Sequence, residues 1–201
     1  MQKRVTILTI IFILIMSSNA LAYEYFSYKF TTGITEARYS NLASDDFDQE
    51  GTIYDFETLY HQVMNAWKNL TEADIRDSVD YPNHGPIILG LWALDYGELG
   101  LNGWARMYDG PTPVSGSYGS SGPTQSYNYC NSYLNAHDIQ DDGAMSFLEA
   151  RTIGYHEVGH CLGLAHEDDG TPAIMASGET AIDNGWLNIQ TDDINGVNNR
   201  Y

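Results

Sequence analysis

The chain has 201 residues, with nine Lys and Arg against 27 Asp and Glu and a formal net charge of -18. A surface this acidic repels the phosphate backbone of nucleic acids and the headgroups of anionic membranes, so no nucleic-acid partner is expected. Two cysteines and a hydrophobic share of 43% fit a single domain with a real core and little covalent stapling.

Met1 to Ala22 reads as a secretory signal peptide. Lys3 and Arg4 give a positive start, Val5 to Met16 an apolar stretch, and Ala20-Leu-Ala22 a small-x-small cleavage site. The apolar stretch is shorter than the roughly 20 residues of a membrane span, so no stable membrane anchor is expected. The mature domain is expected to comprise residues 23–201, secreted to the periplasm or the medium, and to be a monomer.

Tyr25 to Tyr39 alternates loosely around Gly33 and predicts one or two strands, followed by an acidic loop from Asn41 to Gly51. Phe56, Leu59, Tyr60, Val63, Met64, Trp67 and Leu70 then recur at helical spacing behind Asp55, a good N-cap. Ile87 to Leu94 is a continuous apolar run that suits a buried strand. Gly100 to Gly122, rich in Gly, Ser, Pro and Tyr, predicts a long surface loop, and Tyr127 to Ala136 a further strand.

Asp138 to Glu149 imitates part of an EF-hand loop, but Gln140 stands where Asp or Asn is needed. Ser146 and Glu149 make better sense as a capping box that opens a helix. Ca2+ bound by this acidic stretch in another way stays open. Cys130 and Cys161 form an even pair in an exported chain and so favour a disulfide, with two free thiols as the alternative.

The helix that follows Ser146 carries His156-Glu157-Val-Gly-His160-Cys-Leu-Gly163-Leu-Ala-His166. His156 and His160 lie one turn apart on one face, so both can aim a ring nitrogen at one metal ion. A straight helix could not return a third ligand to that ion. The chain must therefore turn near Gly163, which tolerates positive φ, and bring His166 back. Three histidines leave the fourth position of a zinc ion open, the mark of a catalytic Zn2+ site, and Glu157 is placed to act as general base.

These residues resemble the signature of the metzincin zinc endopeptidases, and Met175 in Ala-Ile-Met-Ala-Ser is similar to their Met-turn. Within that clan the likeness is greatest to matrixin-like secreted proteases, because Asp192-Asp193-Ile-Asn-Gly196 resembles their C-terminal helix. The resemblance implies an α+β fold: a twisted mixed sheet, two long helices, one of them the active-site helix, and an irregular C-terminal subdomain ending in a helix. It implies protein or peptide substrates, held by pairing with an edge strand just before the active-site helix, here Tyr127 to Ala136. It also implies that Ala176 to Trp186 forms one wall of a side-chain pocket, and that a carboxylate from Asp192 or Asp193 supports the Met-turn.

Glu167 to Gly170 reads as a solvated polar turn. Two features depart from relatives: no propeptide cysteine lies between Ala22 and Phe56, and only His84 and His137 remain as donors for a second zinc, which is therefore not expected. The alternatives to a protease are a secreted zinc-containing binding or adhesion protein without turnover, and a hydrolase of non-peptide amides. Glu157 argues against the first, since a pure ligand site has no use for a base beside an open position.

Overall fold

The computed structural model describes residues 23–28, 30, 37–42, 48–49, 52–53, 55–73, 75, 89–116, 122–141 and 145–201. The signal peptide, Gly33, His84, Asp142 and Gly143 lie outside the described residues.

Five strands form one sheet: β1 (Ala37–Leu42), β4 (Leu89–Leu94), β7 (Tyr129–Asn135), β5 (Gly103–Asp109) and β6 (Thr112–Pro113), in that spatial order. β1 and β4, and β4 and β7, run parallel; β5 runs antiparallel to both β7 and β6. The short β2 (Asp48–Gln49) and β3 (Thr52–Ile53) pair antiparallel by themselves, so the end of the expected acidic loop supplies one strand of a small two-stranded sheet. The start of that loop, Asn41 and Leu42, belongs to β1.

The period-2 geometry of strands sorts the sheet into two faces. Leu89, Leu91, Ala93, Ala105, Met107, Cys130, Ser132 and Leu134 point inward and are buried. On the other face Tyr133 is sandwiched between its cross-strand neighbours Trp92 and Trp104, with ring centroids 6.0 and 4.9 Å away. Such cross-strand ring pairs pin the register of all three strands.

Two long helices cover the inner face. Helix α1 (Phe56–Leu70) starts at Asp55, whose side chain accepts the Thr58 N–H at 2.9 Å. Its apolar stripe, Phe56, Leu59, Tyr60, Val63, Met64 and Trp67, is buried. Each such side chain contributes roughly 1.5–3 kcal/mol by leaving water.

After the short α2 (Ala136–Asp141), helix α3 (Phe147–Cys161) is opened by the Ser146 and Glu149 capping box. It lies close to α1 because Gly154 has no side chain; a Cβ there would come 2.9 Å from Val63 Cγ2. Trp67 Nε1 also donates to the Tyr155 carbonyl at 3.3 Å. The remainder is irregular except for α4 (Thr180–Asp183) and α5 (Thr191–Asn198). No helix among the described residues is long and apolar enough to cross a membrane.

Two expectations are corrected. The Gly100 to Gly122 stretch is not one long loop, since it contains β5 and β6. The glycines at its flanks hid a clear alternation, Trp104 and Arg106 outward against Ala105 and Met107 inward. Nor is the strand before α3 the edge strand. β7 is enclosed by β4 and β5, and it is the Gly103 to Arg106 part of β5 that extends past its pairing with β6 and Val114 and runs along the cleft.

Candidate active site

His156 and His160 are one turn apart on α3, and a carbonyl holds each ring. His156 Nδ1 donates to the Ile174 carbonyl at 2.7 Å, and His160 Nδ1 to the Leu164 carbonyl at 2.9 Å. With Nδ1 carrying the proton, Nε2 is left as a bare lone pair, the form that ligates metal.

α3 stops at Cys161, one residue after His160. Gly163 takes φ 92°, and a Cβ there would also run into the Arg200 guanidinium, so both the turn and the packing require glycine. The Leu164 N–H returns to the Gly159 carbonyl at 3.0 Å, and the chain then delivers His166.

One ligand atom from each of the three histidines lies within 4.8 Å of the others. Nε2 of His160 and Nε2 of His166 stand 3.2 Å apart. Two ligands on a tetrahedral zinc with Zn–N bonds of 2.0–2.1 Å would be separated by about 3.3 Å, so this spacing fits the ion. The electrostatics agree. Burial lowers the pKa of His156 to about 4, and burial with the neighbouring imidazoles holds His160 well below the usual range. All three rings are thus kept neutral, ready to coordinate without first losing a proton.

Glu157 follows His156 into the cleft and is buried. Burial pushes its carboxyl up to about 8. A divalent cation beside it acts in the opposite sense and favours the carboxylate. Gly103 on β5 makes room for this side chain, because a Cβ there would sit 2.9 Å from Glu157 Cγ. The cleft, about 300 Å³, is bounded by the start of β5, by the three histidines and by Gly178 and Glu179. Phe26 forms a further wall, its ring stacked on His160 at 5.4 Å. The backbone around it is tied down, for the Phe26 N–H donates to the Gly163 carbonyl at 3.1 Å and Arg200 Nη1 to the Phe26 carbonyl at 3.1 Å.

Met175 is buried below α3. Gly159, between His156 and His160, leaves the space for it, since a Cβ there would press into Met175 Sδ. Asp193 on α5 braces the same turn: Oδ2 accepts the N–H groups of Ile174 at 3.0 Å and Gln190 at 2.8 Å, and Oδ1 that of Met175 at 3.3 Å. Asp192 makes no such bond to the Met175 turn among those described. Cys130 on β7 is disulfide-bonded to Cys161, the last residue of α3, with Cα atoms 5.6 Å apart.

Two readings change here. Glu167 is not a solvated turn residue, being only 3% exposed. Its N–H donates to the Met175 carbonyl at 2.9 Å and its Oε1 accepts the Asp169 N–H at 3.2 Å, so it locks the His166 loop to the Met175 turn. Asp138 is occupied by the N–H groups of Leu99 and Leu101 and by the Asn135 amide, and nothing among the described residues supports calcium there. Sequence reading missed Phe26, Gly103 and Asn102, whereas Gly178 and Glu179, which line the cleft, fall in the Ala176 to Trp186 segment expected to wall a pocket. Phe26 and Gly103 reach the site only through tertiary contacts; the alternation of Trp104 to Met107 was the signal that could have exposed the β5 rim.

Comparison with known proteins supports the geometry. A family model described as Matrixin, of the Peptidase_M10 family, matches residues 92–201. No curated protein is similar enough to match. Among solved structures, the GM1 bound form of the ECX AB5 holotoxin is similar with a TM-score of 0.53 and 15% identity, covering 88% of this chain and 85% of that one. At that identity the likeness concerns the fold alone. The matrixin family implies zinc and proteolysis, and the convergent histidines are the residues that would hold the ion. With more than half of its length matched by that family model, and a neutral three-histidine centre set in the matched part, the chain belongs to the matrixin family.

Proposed function

We propose that the protein is a secreted zinc-dependent endopeptidase that hydrolyses peptide bonds in proteins, with Glu157 as general base. The observation that carries this reading is the pairing of three neutral, convergent histidines with a buried carboxylate in one open cleft.

When bound at His156, His160 and His166, zinc supplies a Lewis acid for the scissile carbonyl and lowers the pKa of water towards roughly 7. Everything else is done by the chain. The free edge of β5 offers backbone N–H and C=O groups with which an extended peptide pairs as an added strand. That pairing lays the scissile bond across the histidines. Glu157 takes a proton from the attacking water and hands it to the leaving amine, so the same carboxylate serves first as base and then as acid. Its burial keeps solvent from competing for that proton. Ile174 and Leu164 fix the histidine tautomers through their carbonyls. The stacked Phe26 ring prevents His160 from swinging out.

The test is cleavage of an unstructured protein such as casein by purified residues 23–201, with zinc content determined on the same sample. Cleavage abolished both by a chelator and by Glu157→Ala is the expected result. Stoichiometric zinc without cleavage of casein or of a peptide library would replace this reading with that of a zinc-containing binding protein.

A further inference from the structure

Two walls of the cleft are tied to one another. Asn102, just before β5, donates from Nδ2 to Glu179 Oε1 at 3.0 Å, joining the upper rim to the segment that follows Met175. Asn102 is itself fixed, its carbonyl accepting the Asn135 N–H at 2.9 Å. The next residue, Gly103, is the rim position packed against Glu157. The bond therefore joins the β5 rim to the segment after Met175 one residue from the contact of Gly103 with the base.

Glu179 is also distinctive chemically. Among the described residues that line the cleft, Glu157 and Glu179 are the only carboxylates, and none is Lys or Arg. Glu157 is fully occupied by the reaction proposed above. The Asn102 amide takes one lone pair of the Glu179 carboxylate and leaves its charge and its remaining acceptor capacity intact. Glu179 is exposed at the rim, so a substrate cation can reach its carboxylate directly, with the modest strength of a solvent-exposed ion pair. A lysine or arginine side chain is long enough to lie along the exposed Leu101 at the rim while its head reaches that carboxylate.

We propose that Glu179 is a specificity-determining residue: held at the cleft rim by Asn102, it selects substrates that carry a lysine or arginine beside the scissile bond. This rests on the endopeptidase reading. A purely structural tie between the walls makes a different prediction, because Glu179→Gln keeps the hydrogen-bond acceptor and removes only the charge.

The experiment measures kcat/KM for matched peptides with Lys, norleucine or Glu placed in turn at each position flanking the scissile bond. Wild-type enzyme should favour Lys over norleucine by about threefold to tenfold at one position, and the ratio should shrink in high salt. Glu179→Gln should bring that ratio to about one, and Glu179→Lys should invert the preference towards Glu. Asn102→Ala, which frees the carboxylate but leaves the charge, should keep a weakened preference for Lys. Cleavage with no charge preference at any position, or a preference unchanged in Glu179→Gln, overturns the Glu179 assignment and leaves the endopeptidase standing. Failure of the wild type to cleave any peptide overturns both.

Discussion

Asp193 Oδ2 accepts the Ile174 N–H at 3.0 Å, and the carbonyl of the same Ile174 accepts Nδ1 of His156 at 2.7 Å. A carboxylate on the last helix thus reaches the metal-binding face through one residue, Ile174. Asp193→Asn replaces one acceptor oxygen with a donor facing an N–H, which should cost about 1–3 kcal/mol and weaken zinc retention. Thermal unfolding together with competition by a chelator would read both effects.

The same residue gives a pH prediction. Burial raises Asp193 from 3.8 to about 6, outweighing the backbone N–H groups that pull it down. Between pH about 4 and about 6 the folded state holds a proton that the unfolded chain has released. The group's contribution to stability is therefore complete below about pH 4 and is lost as pH rises through about 6. Asn does not titrate, so the stability gap between wild type and Asp193→Asn should be widest near pH 4 and narrow by pH 7. Denaturant titrations of both proteins across that range test the sign; a gap that widens with pH would contradict it.

Gly159→Ala sets two effects in opposition. Alanine favours a helix over glycine by about 1 kcal/mol, yet its methyl would drive into Met175 Sδ. Overpacking of a buried site costs typically 1–3 kcal/mol, and this position lies between two zinc ligands. A net loss of stability is expected, with weaker zinc binding, measurable by the melting temperature and by zinc titration.

The bond between Cys130 and Cys161 closes a sequence separation of 31 residues and anchors the end of α3 to β7. By chain entropy it should contribute about 3–4 kcal/mol. The Cys130→Ser, Cys161→Ser double variant should melt roughly 6–16 °C lower, at about 2–4 °C per kcal/mol for a domain of this size. Both sulfurs are buried, so reductant should act on the native protein only slowly.

Glu157→Gln keeps the shape of the side chain and removes the base. Zinc stoichiometry should stay at that of the wild type while kcat falls by about 10²–10⁴. Zinc removal should abolish turnover in the wild type and lower the melting temperature in both proteins, since an ion that binds only the folded state stabilises it by mass action. Equal cleavage by Glu157→Gln would remove the assigned base.

How much of this was legible in the chain differs by element. The spacing of His156, His160 and His166, with Gly163 between the last two, dictates a shared metal site, because helical periodicity and a positive-φ turn act over a few residues. Asp55 and the Ser146 and Glu149 box likewise mark their helix starts locally, and the apolar stripe of α1 declares which face is buried.

What tertiary structure alone decided is non-local. The order of the strands put β7 in the interior and gave the cleft edge to β5, a strand concealed in glycine-rich sequence. Burial of Glu167 and the contact of Phe26 with His160 depend on segments remote in sequence. The bond between Asn102 and Glu179 joins residues 77 positions apart. Local sequence sets which side chains can ligate a metal or accept a proton; only the packing of distant segments sets what surrounds them, and hence their burial, their charge state and the substrate they admit.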